Sequence, residues 1–115
     1  MKDIFFVIVA ALIFSACSTK PSTLVGDKRE INGGNAELTI NGDSGHLLIQ
    51  YNPSVQWPPI NEDVKILKHD SYEIEIQRPD GVKLHFVGGR LNEPYVCDNC
   101  KILYNNKIPI IWYQK

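Results

Sequence analysis

From residue 36 onward the apolar side chains alternate. In "AELTIN", Ala36, Leu38 and Ile40 share one side of an extended chain, and in "HLLIQY" Leu47, Ile49 and Tyr51 do the same. "SYEIEIQ" sets Tyr72, Ile74 and Ile76 against Glu73 and Glu75, and "VKLHF" sets Val82, Leu84 and Phe86 against Lys83 and His85. A repeat of two is the strand period, and no stretch after Cys17 sustains a helical one. The 115 residues leave room for one small domain. Close-set strands split by turn residues predict an all-β fold, a small antiparallel meander forming a sandwich or barrel.

Turn chemistry tests that reading. In "IQRPDGVKL", Pro79 suits the first central position of a type I turn and Gly81 the left-handed position after it. The resulting loop pairs Arg78 with Val82, Ile76 with Leu84, Ile74 with Phe86 and Glu75 with His85. A one-residue slip would set Ile against Lys, which a half-buried sheet resists. In "TINGDSGHLLI" a turn centred on Asp43-Ser44 pairs Ile40 with Leu47 and Leu38 with Ile49, whereas a turn at Asn41-Gly42 faces Ile40 with Asp43. "DVKILKHDS" reads as a further strand and turn of open register. "KILYNNKIPIIWYQK" reads as a hairpin around Asn105-Asn106. Its last strand is apolar on both sides, hence central or covered, although Pro109 cannot donate to a ladder.

The N-terminus is of another kind. Residues 4–14 are an unbroken apolar run behind Lys2, long enough for the core of a signal peptide and short of the ~20 residues that span a bilayer. The run ends in Phe14-Ser15-Ala16-Cys17. It resembles the bacterial lipoprotein signal peptides, whose lipobox is an apolar residue, two small residues and an obligatory Cys; Phe14 stands where Leu is usual. The resemblance covers the first 17 residues only. It implies cleavage before Cys17, acylation of that residue and anchoring in a membrane of the cell envelope. Ser18 in place of Asp implies sorting to the outer membrane in a Gram-negative cell, facing the periplasm. Each buried methylene contributes about 0.8 kcal/mol, so several acyl chains on one residue anchor stably. Plain secretion with an incidental Cys17, and an uncleaved short anchor, are the competing readings. The organisation expected is a lipoprotein signal peptide over 1–16, a flexible tether over 17–35 and a small β domain over 36–115. The tether is polar, with Pro21 and the pair Gly33-Gly34.

Cys97-Asp98-Asn99-Cys100 is the one motif with chemical potential. In an exported protein two thiols this close oxidise to a disulfide, and Asp-Asn between them suits the tight turn required. A redox-active pair stays open as an alternative. It needs a lowered thiol pKa, commonly from a helix N-terminus, and the flanks "EPYV" and "KILY" read as loop and strand. Zinc needs about four ligands, and His46, His69 and His85 show no ligand spacing. No metal site and no cofactor is expected. The histidines read as solvent-facing or turn residues, His85 paired with Glu75 across strands. Asp43 and Ser44 read as turn formers, and "GDSGH" lacks the strand-turn-helix context of a nucleophile elbow. Glu73 and Glu75 share a solvated strand face.

Two stretches suggest contact with a partner. The long loop "YNPSVQWPPINED" carries Trp57 beside Pro58 and Pro59, and loops beyond hairpin length often bind. Trp57 reads equally as an interface anchor or as a side chain folded back over the end of the barrel. "GGRLNEPYV" offers Arg90 and Tyr95, with Gly88-Gly89 permitting a bulge or bend. The net charge of −1 gives no footprint for nucleic acid. The expectation is a protein that binds rather than catalyses. One concrete form is an inhibitor or immunity protein against an enzyme that attacks the envelope. Small β-domain lipoproteins that inhibit lysozyme are similar in architecture alone. The alternatives are a structural or assembly accessory of an envelope complex, and a thiol–disulfide redox protein using Cys97 and Cys100.

Overall fold

A computed structural model describes residues 21–31, 33–104 and 107–115. The leader with Cys17, and the turn expected at Asn105-Asn106, lie outside the described residues. Eight strands follow in chain order: β1 Ser22–Gly26, β2 Asn35–Asn41, β3 Ser44–Gln50, β4 Ile60–His69, β5 Glu73–Gln77, β6 Lys83–Gly88, β7 Tyr95–Cys97 and β8 Ile111–Gln114. Each pairs antiparallel with its neighbours in sequence, and β8 returns to β1, which closes the sheet into a barrel. One short helix, α1 Cys100–Tyr104, and three 3-10 turns complete the described elements. The expected all-β meander is what forms, and of sandwich and barrel it is the barrel.

The alternation read from the sequence sorts the wall into two faces. Ala36, Leu38, Ile40, Leu47, Ile49, Ile74, Ile76, Leu84 and Phe86 point inward and are buried. Tyr72 departs from this pattern: it precedes β5 and is 54% exposed. Trp112 fills the interior beside Phe86, ring centroids 5.8 Å apart and edge to face, and its indole N–H donates to the Pro109 carbonyl at 2.7 Å. The outer face carries Glu37, His46, Lys65, Glu75 and Lys83. Such a wall is the inverse of a lipid-spanning barrel, which turns an apolar band outward. Among the described residues no helix is long and apolar enough to cross a membrane.

The hairpin of β5 and β6 has the predicted register at every pair, and Gly81 takes the left-handed φ of 92°. The β2–β3 hairpin does not. Its loop is Gly42-Asp43 rather than Asp43-Ser44, with Asn41 opposite Ser44 and Gly42 at φ 64°, as a two-residue II′-type loop needs at its first position. Ile40 consequently faces Gly45, and Leu38 faces Leu47. The shift is two residues, so the inward face is kept. A Cβ on Gly45 would lie 2.9 Å from Ile66 Cδ1 and 3.2 Å from Val64 Cγ2. Side chains from β4 occupy the space that local pairing would give to Leu47.

Three further expectations are corrected. Residues 17–35 are not all tether: Ser22–Gly26 is a barrel strand, paired with β2 from Ser22↔Ile40 and with β8 from Leu24↔Gln114. A 3-10 turn over Lys28–Ile31 follows, with Ile31 fully buried. β4 begins at Ile60, inside the stretch read as a long loop, and a register shift between Ile66 and Lys68 turns Leu67 outward. That bulge is why alternation left this strand's register open. The segment "CKILY" is helix rather than the first strand of a C-terminal hairpin, and β8 pairs instead with β7 and β1. Pro109 precedes β8 and so takes no donor from the ladder. Trp112→Ala removes the largest inward side chain and should cost about 3–5 kcal/mol of unfolding free energy in urea denaturation, with the midpoint falling accordingly.

Candidate functional site

Antiparallel order assigns the connections to two ends. The connections over 27–34, 51–59, 78–82 and 98–110 lie at one end, here the far end. Those over 42–43, 70–72 and 89–94 lie at the other, where the chain also enters at Ser22 and β8 finishes, here the entry end. The two stretches singled out in the sequence are therefore separated: Trp57, Pro58 and Pro59 are at the far end, Arg90 at the entry end.

At the far end Asn52 caps a 3-10 turn over Pro53–Val55, its side-chain oxygen accepting from the Ser54 N–H and hydroxyl at 3.0 Å each. The turn exits through Gln56 at φ 60° and delivers Trp57 edge-on to Tyr51, with centroids 5.2 Å apart. Lys107 Nζ lies 5.6 Å over the Trp57 ring, and the Tyr51 hydroxyl donates to the Lys107 carbonyl. Trp57 is half-buried, whereas Pro58 and Pro59 are exposed. Trp57 thus packs against Tyr51 and Lys107 while remaining partly exposed. Beside it is a depression of about 420 Å³ lined by Gly33, Gly34, Asn35, Tyr51, Pro53 and Pro59 among others.

Helix α1 stands at the same end. Ile102 is 86% exposed and Leu103 46% exposed, two apolar side chains that solvent does not favour. Read as a strand in the sequence, this segment gave no hint of an outward apolar pair. The helix begins at Cys100, bonded to Cys97 across a Cα–Cα distance of 5.5 Å. Both cysteines are buried, at 2% and 0% exposure. The flank of the pair is therefore β7 on one side and a helix of five residues on the other.

Asp98 and Asn99 do more than turn the chain. The Asp98 N–H donates to the His85 carbonyl at 2.9 Å. Asn99 accepts from the His85 N–H at 3.1 Å and donates to the Lys83 carbonyl at 3.0 Å. The His85 ring lies between two carboxylates, Nδ1 2.6 Å from Asp98 and Nε2 2.8 Å from Glu73. His85 is opposite Glu75 in register, as expected, but its ring pairs with Glu73 and Asp98 instead. Hydrogen bonds donated to the carboxylates of Glu73 and then Asp98 raise the His85 pKa above its usual value. Lys68, at 2.7 Å, and then His85 lower that of Glu73. His46 is held likewise, 2.8 Å from Asp63 and 2.5 Å from Asn61, and its pKa is raised by Asp63 first. Ser44 donates to the Asn41 carbonyl at 3.1 Å rather than to His46, whose Nε2 is occupied by Asn61. Ser44, His46 and Asp63 therefore do not form a proton relay.

At the entry end Arg90 lies 5.6 Å from the Tyr72 ring centroid. Gly88 and Gly89 make the expected bend, at φ 113° and 75°. Tyr95 is not a surface residue: it is 4% exposed, its ring belongs to the core, and its hydroxyl reaches the Asp70 carbonyl at 3.3 Å. Burial raises its pKa. The β period places Tyr95 inward with Cys97, and Val96 outward at 39% exposure. His69 is exposed on β4. Among the described residues no group of three His, Cys, Asp or Glu side chains could hold a metal ion. No known protein family, curated protein or solved structure matches this chain.

Two measurements check this account. A histidine whose pKa is raised on folding adds stability that is full below its unfolded value and lost as pH rises through the folded one. A lowered carboxylate adds stability that is lost as pH falls through its folded value. The excess urea stability of the native chain over His85→Asn should therefore be larger at about pH 6 than at about pH 9. Replacing Cys97 and Cys100 together by Ala opens a very short loop and should cost about 2 kcal/mol, read as a shift of the urea midpoint under non-reducing conditions.

Proposed function

We propose that the mature chain is a lipid-anchored envelope lipoprotein, held in the outer membrane through Cys17 and facing the periplasm. It acts by binding another envelope or periplasmic protein through the far end of its barrel. One observation carries this: Ile102 and Leu103, exposed at 86% and 46%, stand at the same end as Trp57. Lys107, three residues beyond α1, ties the two segments together by its contacts with Tyr51 and Trp57. Exposed apolar and aromatic anchors on a fixed frame are how protein interfaces gather binding energy. An inhibitor that inserts this end into an enzyme attacking the envelope fits the arrangement, since the apolar groups project from loops and a short helix. The thiol–disulfide alternative requires a sulfur open to attack, and the burial of both cysteines weighs against it.

Photo-crosslinking in intact envelopes tests the reading. A crosslinker introduced beside Ile102 should capture one discrete protein. Ile102→Asp and Trp57→Ala should each reduce capture about tenfold or more, as hot-spot losses do. Leu67→Asp, on the outer wall at 44% exposure, should leave it unchanged. Equal capture by Leu67→Asp, Ile102→Asp and the native chain would overturn the far-end assignment.

A further inference from the structure

The loop between β6 and β7 holds an apolar side chain in an unfavourable backbone conformation. Leu91 is 88% exposed, the most exposed large apolar residue among the described residues. Its φ of 54° and ψ of 41° are left-handed, a region leucine rarely enters, and Asn92 follows at φ 66°. Exposure and strain fall on the same side chain, and neither contributes to the packing of the barrel. Strain of this kind persists where the surroundings impose it, and it gathers at functional places. The loop is pinned: Gln114 Nε2 donates to the Gly89 carbonyl at 3.0 Å and to the Glu93 carbonyl at 3.1 Å. Next to Leu91 in the chain, Arg90 reaches to 5.6 Å from the ring of Tyr72, itself 54% exposed. An aliphatic tip, an aromatic ring and a cation together are the groups that settle at the level of lipid headgroups.

Chain length supplies the second observation. From Cys17 to Ser22 is five residue steps, which even fully extended reach only about 18 Å. The entry strand is also close to the loop. The Lys115 N–H donates to the Thr23 carbonyl at 3.1 Å, and Gln114 is the residue that holds the loop. Leu91 and Ser22 thus belong to the same end, about two strand spacings apart around the rim. Among the described residues the charges of this end offset one another, with Lys65, Lys68, Arg90 and Lys115 against Asp43, Asp70, Glu73 and Glu93. No net repulsion or attraction selects a charged lipid.

We propose that the entry end rests on a phospholipid bilayer, with Leu91 and Tyr72 at the boundary of headgroups and acyl chains, so that the far end points away from the membrane. This rests on the acylation of Cys17 proposed above. The anchor fixes where the protein is, and the Leu91 tip fixes which way it faces.

The test uses the acylated mature chain in phosphatidylcholine vesicles whose acyl chains are brominated near the headgroup. Leu91→Trp and Ile102→Trp are each made with Trp57→Phe, and the buried Trp112 is common to both. The indole introduced by Leu91→Trp should lose about twofold in emission, and that introduced by Ile102→Trp should be unchanged. Tyr72→Trp, at the same end as Leu91, should be quenched too, which keeps the test independent of the strained position. Intact mass on the same sample reports the acyl groups. An acylated chain with neither Leu91→Trp nor Tyr72→Trp quenched, or with Ile102→Trp quenched equally, overturns this orientation and leaves the anchored reading standing. A mature chain without acyl groups overturns both.

Discussion

The seam between β1 and β8 is the contact on which the rest of the structure depends. Without it the sheet is an open meander with two edges, each presenting unpaired N–H and C=O groups to any other strand. The seam joins residues about ninety positions apart, Leu24 to Gln114 and Gly26 to Trp112. It is reinforced from the β1–β2 connection. The Glu30 carboxylate accepts from the Ile110 and Ile111 N–H groups at 3.0 Å each, and the Asp27 N–H donates to the Ile111 carbonyl at 2.9 Å. Asp27 is itself only 8% exposed and is gripped by Arg29, whose hydrogen bonds lower its pKa. A buried carboxylate needs such partners to stay charged. Closure also turns Trp112 inward, so the seam and the largest core side chain form together.

Much of this was legible in the sequence, and the limits have physical causes. The β5–β6 hairpin was readable pair by pair because Pro79, Gly81 and the alternation on either side are local and agree. The β2–β3 register differs from the local expectation by two residues because the reason for Gly45 lies on β4, in Val64 and Ile66, which local pairing does not see. The face survived the error because two residues are one full strand period. Strand β1 reads as tether because "STLVG" is short and its partners are β2 and the distant β8. Helix α1 has five residues, too few for a 3.6-residue repeat to show. The Cys97–Cys100 pairing is readable from the close spacing together with the expected export, while the clamp of His85 by Asp98 and Glu73 needs the wall's outer face in three dimensions.

A closed barrel leaves few places for function. Its backbone is paired around the whole wall, so strand addition is barred, and specific contact falls to the two rims. The rims differ. The entry rim is short-looped apart from the strained Leu91 loop, and it lies within about five residue steps of the proposed anchor. The far rim carries the longer connections, Trp57 and the α1 pair. Strand number places the start of β1 and the end of β8 on the same rim, and the reading proposed above makes that rim the holding end and the other the presenting end. In this chain the longest connections, over 27–34, 51–59 and 98–110, fall on the other rim.

The Cys97–Cys100 bridge acquires its role from that division. An isolated helix of five residues is unstable in water, because nucleation fixes several residues for one hydrogen bond. Here the cost is met before the helix begins. Cys100 is covalently tied to the wall, and Asp98 and Asn99 are bonded to β6 through His85 and Lys83. The first turn therefore starts from a fixed point, and Ile102 and Leu103 project from it in set directions. Both cysteines also belong to the buried core, so the bridge joins the platform of the apolar pair to the packing of the barrel. The disulfide thus holds the start of α1 to the wall, which is the part it plays in the binding reading proposed above.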